Sequence, residues 1–242
     1  VSPQKEIKIF VREILDFKST RPEPSINYLL LYLGLNYLIE KQICDQVSDL
    51  SELATIYNDL IERGKTLYGS ENNSILKPVS KDLLAQYLPA LKKIAPPGCL
   101  GKRISLLGDA YQIWQTEARA TALNKIQTAD KKISSEELIL FTQIYTPDWI
   151  VDFLLEKTLG SFIKTENLKG KDLNTLKVLD PACGSGHFLT GAYEILKNYY
   201  LERNIPLNTC FKEIVNNQLF GCDIDENALA VVSLCFAVLS RE

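Results

Sequence analysis

Two carboxylates and a glycine turn are the residues whose types and spacing could hold a ligand. Asp180 ends the short apolar run Lys177-Val178-Leu179 and leads into Pro181-Ala182-Cys183-Gly184-Ser185-Gly186-His187-Phe188-Leu189. A strand that runs into an acid, a glycine-bearing turn and a helix start makes a cradle, because glycine lets the backbone turn tightly and approach a ligand closely. Asp223 ends a second run, Gln218-Leu219-Phe220-Gly221-Cys222, and is followed by Ile224-Asp225. The spaced GxGxxG pattern of a diphosphate cradle is replaced here, and Asp180 would repel a pyrophosphate. It suits a ligand with a cationic end, an amino group above all. Asp223 can accept both hydroxyls of a ribose, and Ile224 can cover one face of an adenine ring. The bland alternative is that Asp223 and Asp225 only cap the next helix. That alternative is preferred for Asp225 and the ribose role for Asp223.

These groups need elements to hold them. Residues 176–179 read as a strand, Gly186 to about Glu202 as a helix with Phe188, Leu189, Ala192, Ile195, Leu196 and Tyr199 mostly on one face, and 218–225 as a second strand. A further helix runs from Glu226 or Asn227 to Ser240. The order β-turn-α, crossover, β-acid-α is the opening of a doubly wound sheet. Free amides at the start of the first helix face polar ligand atoms. Upstream, Thr146 reads as an N-cap and Pro147 as the first residue of a helix that continues to the Gly160 region. His187 suggests an exposed or loosely packed residue, and Cys183 a small turn residue rather than a nucleophile.

The chain before residue 134 reads as a mainly helical region, residues 1–133, distinct from 134–242. Its expected helices are 1–18, Ser25 to about Gln42, Asp49 to Arg63 ended by Gly64, Ser80 to Tyr87 stopped before Pro89, and Tyr111 to Ile126. The stretch Leu29 to Ile39 is too short to span a membrane, which takes about 18 apolar residues, and reads as a buried helix. Tyr57, Tyr111 and Trp114 read as core or interface aromatics.

Composition narrows the function classes without choosing one. Of 242 residues, 46% are hydrophobic and 24% charged, the profile of a soluble globular protein. Six scattered cysteines and one histidine leave no zinc-type spacing, and a reduced, cytoplasmic setting fits. Residues 61–140 carry 12 basic and 8 acidic side chains, a mild excess that reads as a solvated face rather than a nucleic-acid surface. No signal peptide is expected at the amino end, where Lys5 to Glu13 reads as an amphipathic helix. The chain starts with valine and contains no methionine, as would a domain excised from a longer protein or a sequence that has lost its methionine positions.

Three strings carry a family resemblance. Phe141-Thr142-Gln143-Ile144-Tyr145-Thr146-Pro147, Asp180-Pro181-Ala182-Cys183-Gly184-Ser185-Gly186-His187-Phe188-Leu189 and Gly221-Cys222-Asp223-Ile224-Asp225 stand in the order found in adenine-specific N6 DNA methyltransferases of restriction-modification type. Residues 141–242 resemble the amino-terminal half of such an enzyme's catalytic domain. The helical region is similar in kind to those preceding that domain in type I modification subunits and fused restriction-modification enzymes. The resemblance implies a partial α/β Rossmann-like methyltransferase domain that binds S-adenosylmethionine and, in the whole protein, double-stranded DNA, with specificity or restriction subunits as further partners. It places Thr146 at the methionine carboxylate, with Tyr145 and Pro147 shaping that wall. Asp180 falls near the methionine amino group, with Ala182, Cys183, Gly184 and Gly186 along the cofactor, Asp223 on the ribose and Ile224 on the adenine. No metal is implied.

Family members accept the adenine amino hydrogens with a loop of Asn/Asp/Ser-Pro-Pro-Tyr/Phe, whose aromatic residue stacks on a flipped base. No such tetrapeptide occurs here, since Pro96-Pro97 lacks both flanking residues. No catalytic residue is therefore assigned, the piece alone is expected to be inactive, and an uncompleted apolar sheet edge is expected to favour association. The competing readings are a methyltransferase of RNA or protein, and a noncatalytic interaction module retaining this fold.

Overall fold

The computed structural model describes residues 11–15, 17–19, 25–40, 49–68, 77–94, 103–128, 134, 139–140, 146–165 and 170–242. The Pro96-Pro97 pair and residues 141–145 lie outside them. What is described is mostly helical, with one small parallel sheet.

Helix α1, Ser25–Glu40, is apolar all round and is accordingly buried all round, from Tyr28 to Leu38. Helix α2, Leu50–Tyr68, starts where the Asp49 carboxylate accepts the amides of Ser51 (2.8 Å) and Glu52 (3.0 Å). It buries the expected Leu53, Tyr57 and Leu60, but it does not stop at Gly64. The apolar period continues through Leu67, and a mid-helix glycine costs only about 1 kcal/mol against that packing. Helix α3, Lys81–Ile94, likewise runs through Pro89, held by Leu84, Tyr87, Leu91 and Ile94 in the core. Helix α4, Leu106–Thr128, begins five residues earlier than the expected start at Tyr111. Its Tyr111 and Trp114 are core residues, as expected.

Helix α5, Asp148–Leu155, is capped by Pro147, so the cap lies one residue later than Thr146. A π-turn, Glu156–Gly160, links it to the short helix α6, Ser161–Thr165. Strand β1, Val178–Asp180, pairs in parallel with β2, Leu219–Gly221, in the register Val178–Leu219, Leu179–Phe220, Asp180–Gly221. Helix α7, His187–Leu201, and helix α8, Leu207–Glu213, make the crossover. Helix α8 is not among the elements expected from the sequence, and Pro206 starts it with its fixed φ. Helix α9, Glu226–Leu239, follows β2.

One face of the sheet is covered by α7, where Gly221 lets Leu189 approach so closely that a Cβ would lie 2.6 Å from Leu189 Cδ1. On the other face the register partners Leu179 and Phe220 are 62% and 44% exposed. Helix α9 is buried along nearly its whole length, against α1, α2 and α4. The hydrophobic core therefore runs continuously from the amino-terminal helices into the βαβ unit.

A buried ion cluster joins α7 to α1. Lys197 Nζ donates to Glu194 (2.8 Å) and Glu242 (2.9 Å), and Tyr37 Oη donates to the other oxygen of Glu242. Burial pulls the Lys197 ammonium down, but the two carboxylates more than offset it and hold its pKa above the usual lysine value. Lys197→Ala should cost about 3–5 kcal/mol in urea unfolding, because Glu242 would stay buried without its counter-charge. The contribution is present at neutral pH and is lost as pH rises through the raised lysine pKa.

Candidate functional site

The site is built where β1 and β2 end. Beyond the strands the pairing continues into the loops: Cys222 N donates to Asp180 O (3.0 Å) and Cys183 N to Cys222 O (2.9 Å). The chain then reverses in a turn closed by Gly186 N donating to Cys183 O at 2.8 Å. Gly184 at φ 51° and Gly186 at φ 86° hold the left-handed conformations that this turn requires. Gly186 serves as the N-cap of α7, with no side-chain cap. A Cβ on Gly186 would also lie 2.9 Å from Val232 Cγ2 of α9.

Asp223 is fixed between the two loops. Its Oδ2 accepts the Gly184 amide at 2.7 Å and its Oδ1 the Asp225 amide at 2.9 Å. Each carboxylate oxygen has two lone pairs, so one acceptor position remains on each, the pattern that a vicinal diol needs. Ile224 beside it is 74% exposed. Asp225 is the N-cap of α9, accepting the Asn227 amide at 2.9 Å, in agreement with its expected capping role.

Asp180 accepts the Ala182 amide at 3.2 Å. Desolvation by burial raises its pKa above the usual carboxylate range, the Ala182 amide works against that, and the charge of Asp223 adds to it. Neither carboxylate has an ion-pair partner among the described residues. Two acids converging on one loop pair without a cation make a region complementary to positive charge. Cys183 is buried, and burial followed by the charges of Asp180 and Asp223 pushes its thiol up to about 12, which removes it as a nucleophile near neutral pH. Its backbone amide is spent on Cys222 O and its carbonyl on the Gly186 amide.

His187 departs from expectation. It is 7% exposed, with Nδ1 3.3 Å from Ser185 Oγ and Nε2 3.3 Å from Asp109 Oδ1 of α4. The cause is the close seating of α4 on the loop. Gly108 has no side chain, and a Cβ there would lie 2.5 Å from Ser185 Oγ and 2.6 Å from His187 Cε1. Nothing in the local sequence of α4 signals this contact, which spans 78 residues.

Tyr145 lies outside the described residues. Thr146 is half-buried and Pro147 exposed at the start of α5. That helix rests on α7, where a Cβ at Gly191 would meet Leu155 Cδ1 at 2.6 Å and Val151 Cγ1 at 3.4 Å. Arg103 bridges to Asp148 (3.1 Å) and Asp152 (2.9 Å), fixing α5 to the segment before α4. A groove of about 510 Å³ runs beside α5 and α7, lined by Arg103, Asp148, Lys164, His187 and Glu194 among others. Neither Asp180 nor Asp223 lines it. No group of acids, cysteines and histidine able to hold a metal ion occurs among the described residues. No helix among them is long and apolar enough to cross a membrane.

Residues 155–241 match the family model described as MmeI, DNA-methyltransferase domain. The adenine-specific methyltransferase BrxX of Escherichia coli O9:H4 (strain HS) is 29% identical over 171 residues, covering 58% of this chain and 14% of the relative. The adenine-specific methyltransferase PglX of Lacticaseibacillus casei (strain Zhang) is 28% identical over 163 residues, 53% of this chain and 13% of its own. PglX of Streptomyces coelicolor is 24% identical over 175 residues, 70% of this chain and 13% of its own. The chain thus spans only about a seventh of the length of these relatives. Residues 155–241, which carry the motifs at Asp180 and Asp223, are thus similar to a DNA-methyltransferase domain, and the chain is similar to parts of adenine-specific methyltransferases.

Proposed function

We propose that this chain is the cofactor-binding part of an enzyme that transfers a methyl group from S-adenosylmethionine to adenine N6 in DNA, within a restriction-modification system. The observation that carries the reading is the pair Asp180 and Asp223, brought to the ends of two parallel strands on either side of a glycine turn. Asp223 offers one acceptor per oxygen to the ribose hydroxyls. Asp180 faces a cationic amino group, and exposed Ile224 covers the adenine. Ala182, Cys183, Gly184 and Gly186 form the wall along the ligand, and Tyr145, Thr146 and Pro147 close the methionine end. When bound, the sulfonium group supplies an activated methyl. These residues bind and orient it, and no catalytic residue is assigned among them.

The division into a helical region, 1–133, and a partial Rossmann-like methyltransferase domain, 134–242, belongs to the same proposal. So do a cytoplasmic setting, double-stranded DNA as substrate of the whole protein, and specificity or restriction subunits as partners. The 242-residue chain alone is expected to transfer no methyl group, because its sequence holds no Asn/Asp/Ser-Pro-Pro-Tyr/Phe loop. The test is transfer by the full-length protein: DNA incubated with methyl-labelled cofactor, digested to nucleosides, should yield label in N6-methyladenine. Label in RNA or protein instead would move the enzyme to another substrate class, and cofactor binding without label in any of them would favour an interaction module.

The raised Asp180 pKa gives a pH dependence of known sign. Asp180 takes up a proton at higher pH than an ordinary aspartate, whose pKa is about 3.9, and so loses the charge that faces the ligand amine. Affinity for S-adenosylhomocysteine should therefore fall on acidification before other aspartates titrate. Folding stability should respond oppositely at this group, since protonation relieves the buried charge as pH falls through the folded pKa. Titrations across the mildly acidic range, with Asp180→Asn as the pH-insensitive reference, check both signs.

A further inference from the structure

Helix α4 reaches the second loop as well as the first. Tyr111 Oη, buried, donates to Asp225 Oδ2 at 2.8 Å across 114 residues of sequence, and Gln115 Nε2 donates to Tyr111 Oη at 2.8 Å. Asp225 is itself 7% exposed, and its other oxygen holds the Asn227 amide at 2.9 Å. With its side chain tied at both oxygens, the Asp225 backbone amide is aimed at Asp223 Oδ1, 2.9 Å away. The second oxygen of Asp223 is aligned by Gly184. A chain of hydrogen bonds thus runs from the helical region to the carboxylate assigned to the ribose: Gln115, Tyr111, Asp225, Asp223.

We infer that Tyr111 is a positioning residue for cofactor binding, setting the orientation of Asp223 through Asp225, so that the helical region contributes to ribose recognition without touching the ligand. The inference rests on the assignment of Asp223 to the ribose. Charged hydrogen bonds depend steeply on alignment, and an acceptor that must meet two hydroxyls at once is sensitive to small rotations. Asp223 has no ion-pair partner among the described residues to fix it otherwise. Its orientation comes from two backbone amides, and one of these belongs to the residue that Tyr111 holds.

The experiment compares dissociation constants of S-adenosylhomocysteine and its 2′-deoxyribose analogue in the full-length protein, wild type and Tyr111→Phe. The wild type should prefer the ribose form by about tenfold or more, the worth of one hydrogen bond to a charged group. Tyr111→Phe should lower that preference at least threefold while affinity for the deoxy form changes little. A general loss of stability would weaken both ligands alike and leave the ratio standing, which would overturn the inference. Gln115→Leu is the milder second variant, expected to shift the ratio in the same direction by less. If Tyr111→Phe does not fold, an unchanged ratio in Gln115→Leu overturns it equally. Absence of any ribose preference in the wild type would instead remove the assignment of Asp223, and the inference with it.

Discussion

Asp223→Ala should weaken S-adenosylhomocysteine binding by more than about 100-fold, with a much smaller effect on folding. The side chain would give up two ribose hydrogen bonds, and bonds to a charged group contribute about 1.5–3 kcal/mol each. Their sum exceeds the roughly 2.7 kcal/mol that corresponds to 100-fold. The substitution also frees the amides of Gly184 and Asp225, which Asp223 now holds at 2.7 and 2.9 Å, so the turn loses alignment as well as an acceptor. Asp223 is only half-buried, and both amides can turn to water when it is gone. Calorimetric titration reads the affinity and thermal unfolding reads the stability. A variant that unfolds at wild-type temperature and still binds within fivefold would show that Asp223 is only a loop brace.

Gly186→Ala should be the most damaging small substitution in the loop, costing about 2–5 kcal/mol of stability. Two terms add. At φ 86° a Cβ collides with its own backbone, a strain of roughly 1–2 kcal/mol. The new methyl would also sit 2.9 Å from Val232 Cγ2 and 3.3 Å from Val232 Cγ1, and overpacking of a filled core typically costs about 1–3 kcal/mol. Val232 is buried in α9, which packs on α1, α2 and α4, so it has little room to retreat. Denaturant unfolding checks the sum. Gly186→Ala combined with Val232→Ala separates the parts: the clash should be relieved and the backbone strain should stay. A single variant within about 0.5 kcal/mol of wild type would mean that the turn can adopt another path.

Local chemistry was legible where it is carried by neighbours in sequence. The acid-ended strands, the glycine turn, the α7 start and the Asp225 cap all follow from residues within a few positions of each other. The uniformly apolar α1 and the core roles of Tyr57, Tyr111 and Trp114 were legible for the same reason. Gly64 and Pro89 misled because punctuation is a local rule, and the apolar faces of α2 and α3 pack on both sides of them. His187 misled for the opposite reason. Its surroundings come from Asp109 and Gly108, and no pattern near residue 187 announces a helix arriving from 78 positions earlier. Tyr111 reads as a core aromatic, which it is, but its hydroxyl reaches Asp225 by the same long-range packing. In this chain the helical region and the candidate site share one core, so contacts across 78 to 114 residues shape the site along with its own loop.

The most direct measurement is a crystal structure of the full-length protein with S-adenosylhomocysteine bound. The two ribose hydroxyl oxygens should lie within about 2.5–3.0 Å of Asp223, with the amino group toward Asp180 and the adenine against Ile224. The ligand lodged instead in the groove between α5 and α7, with both carboxylates left to solvent, would contradict the account.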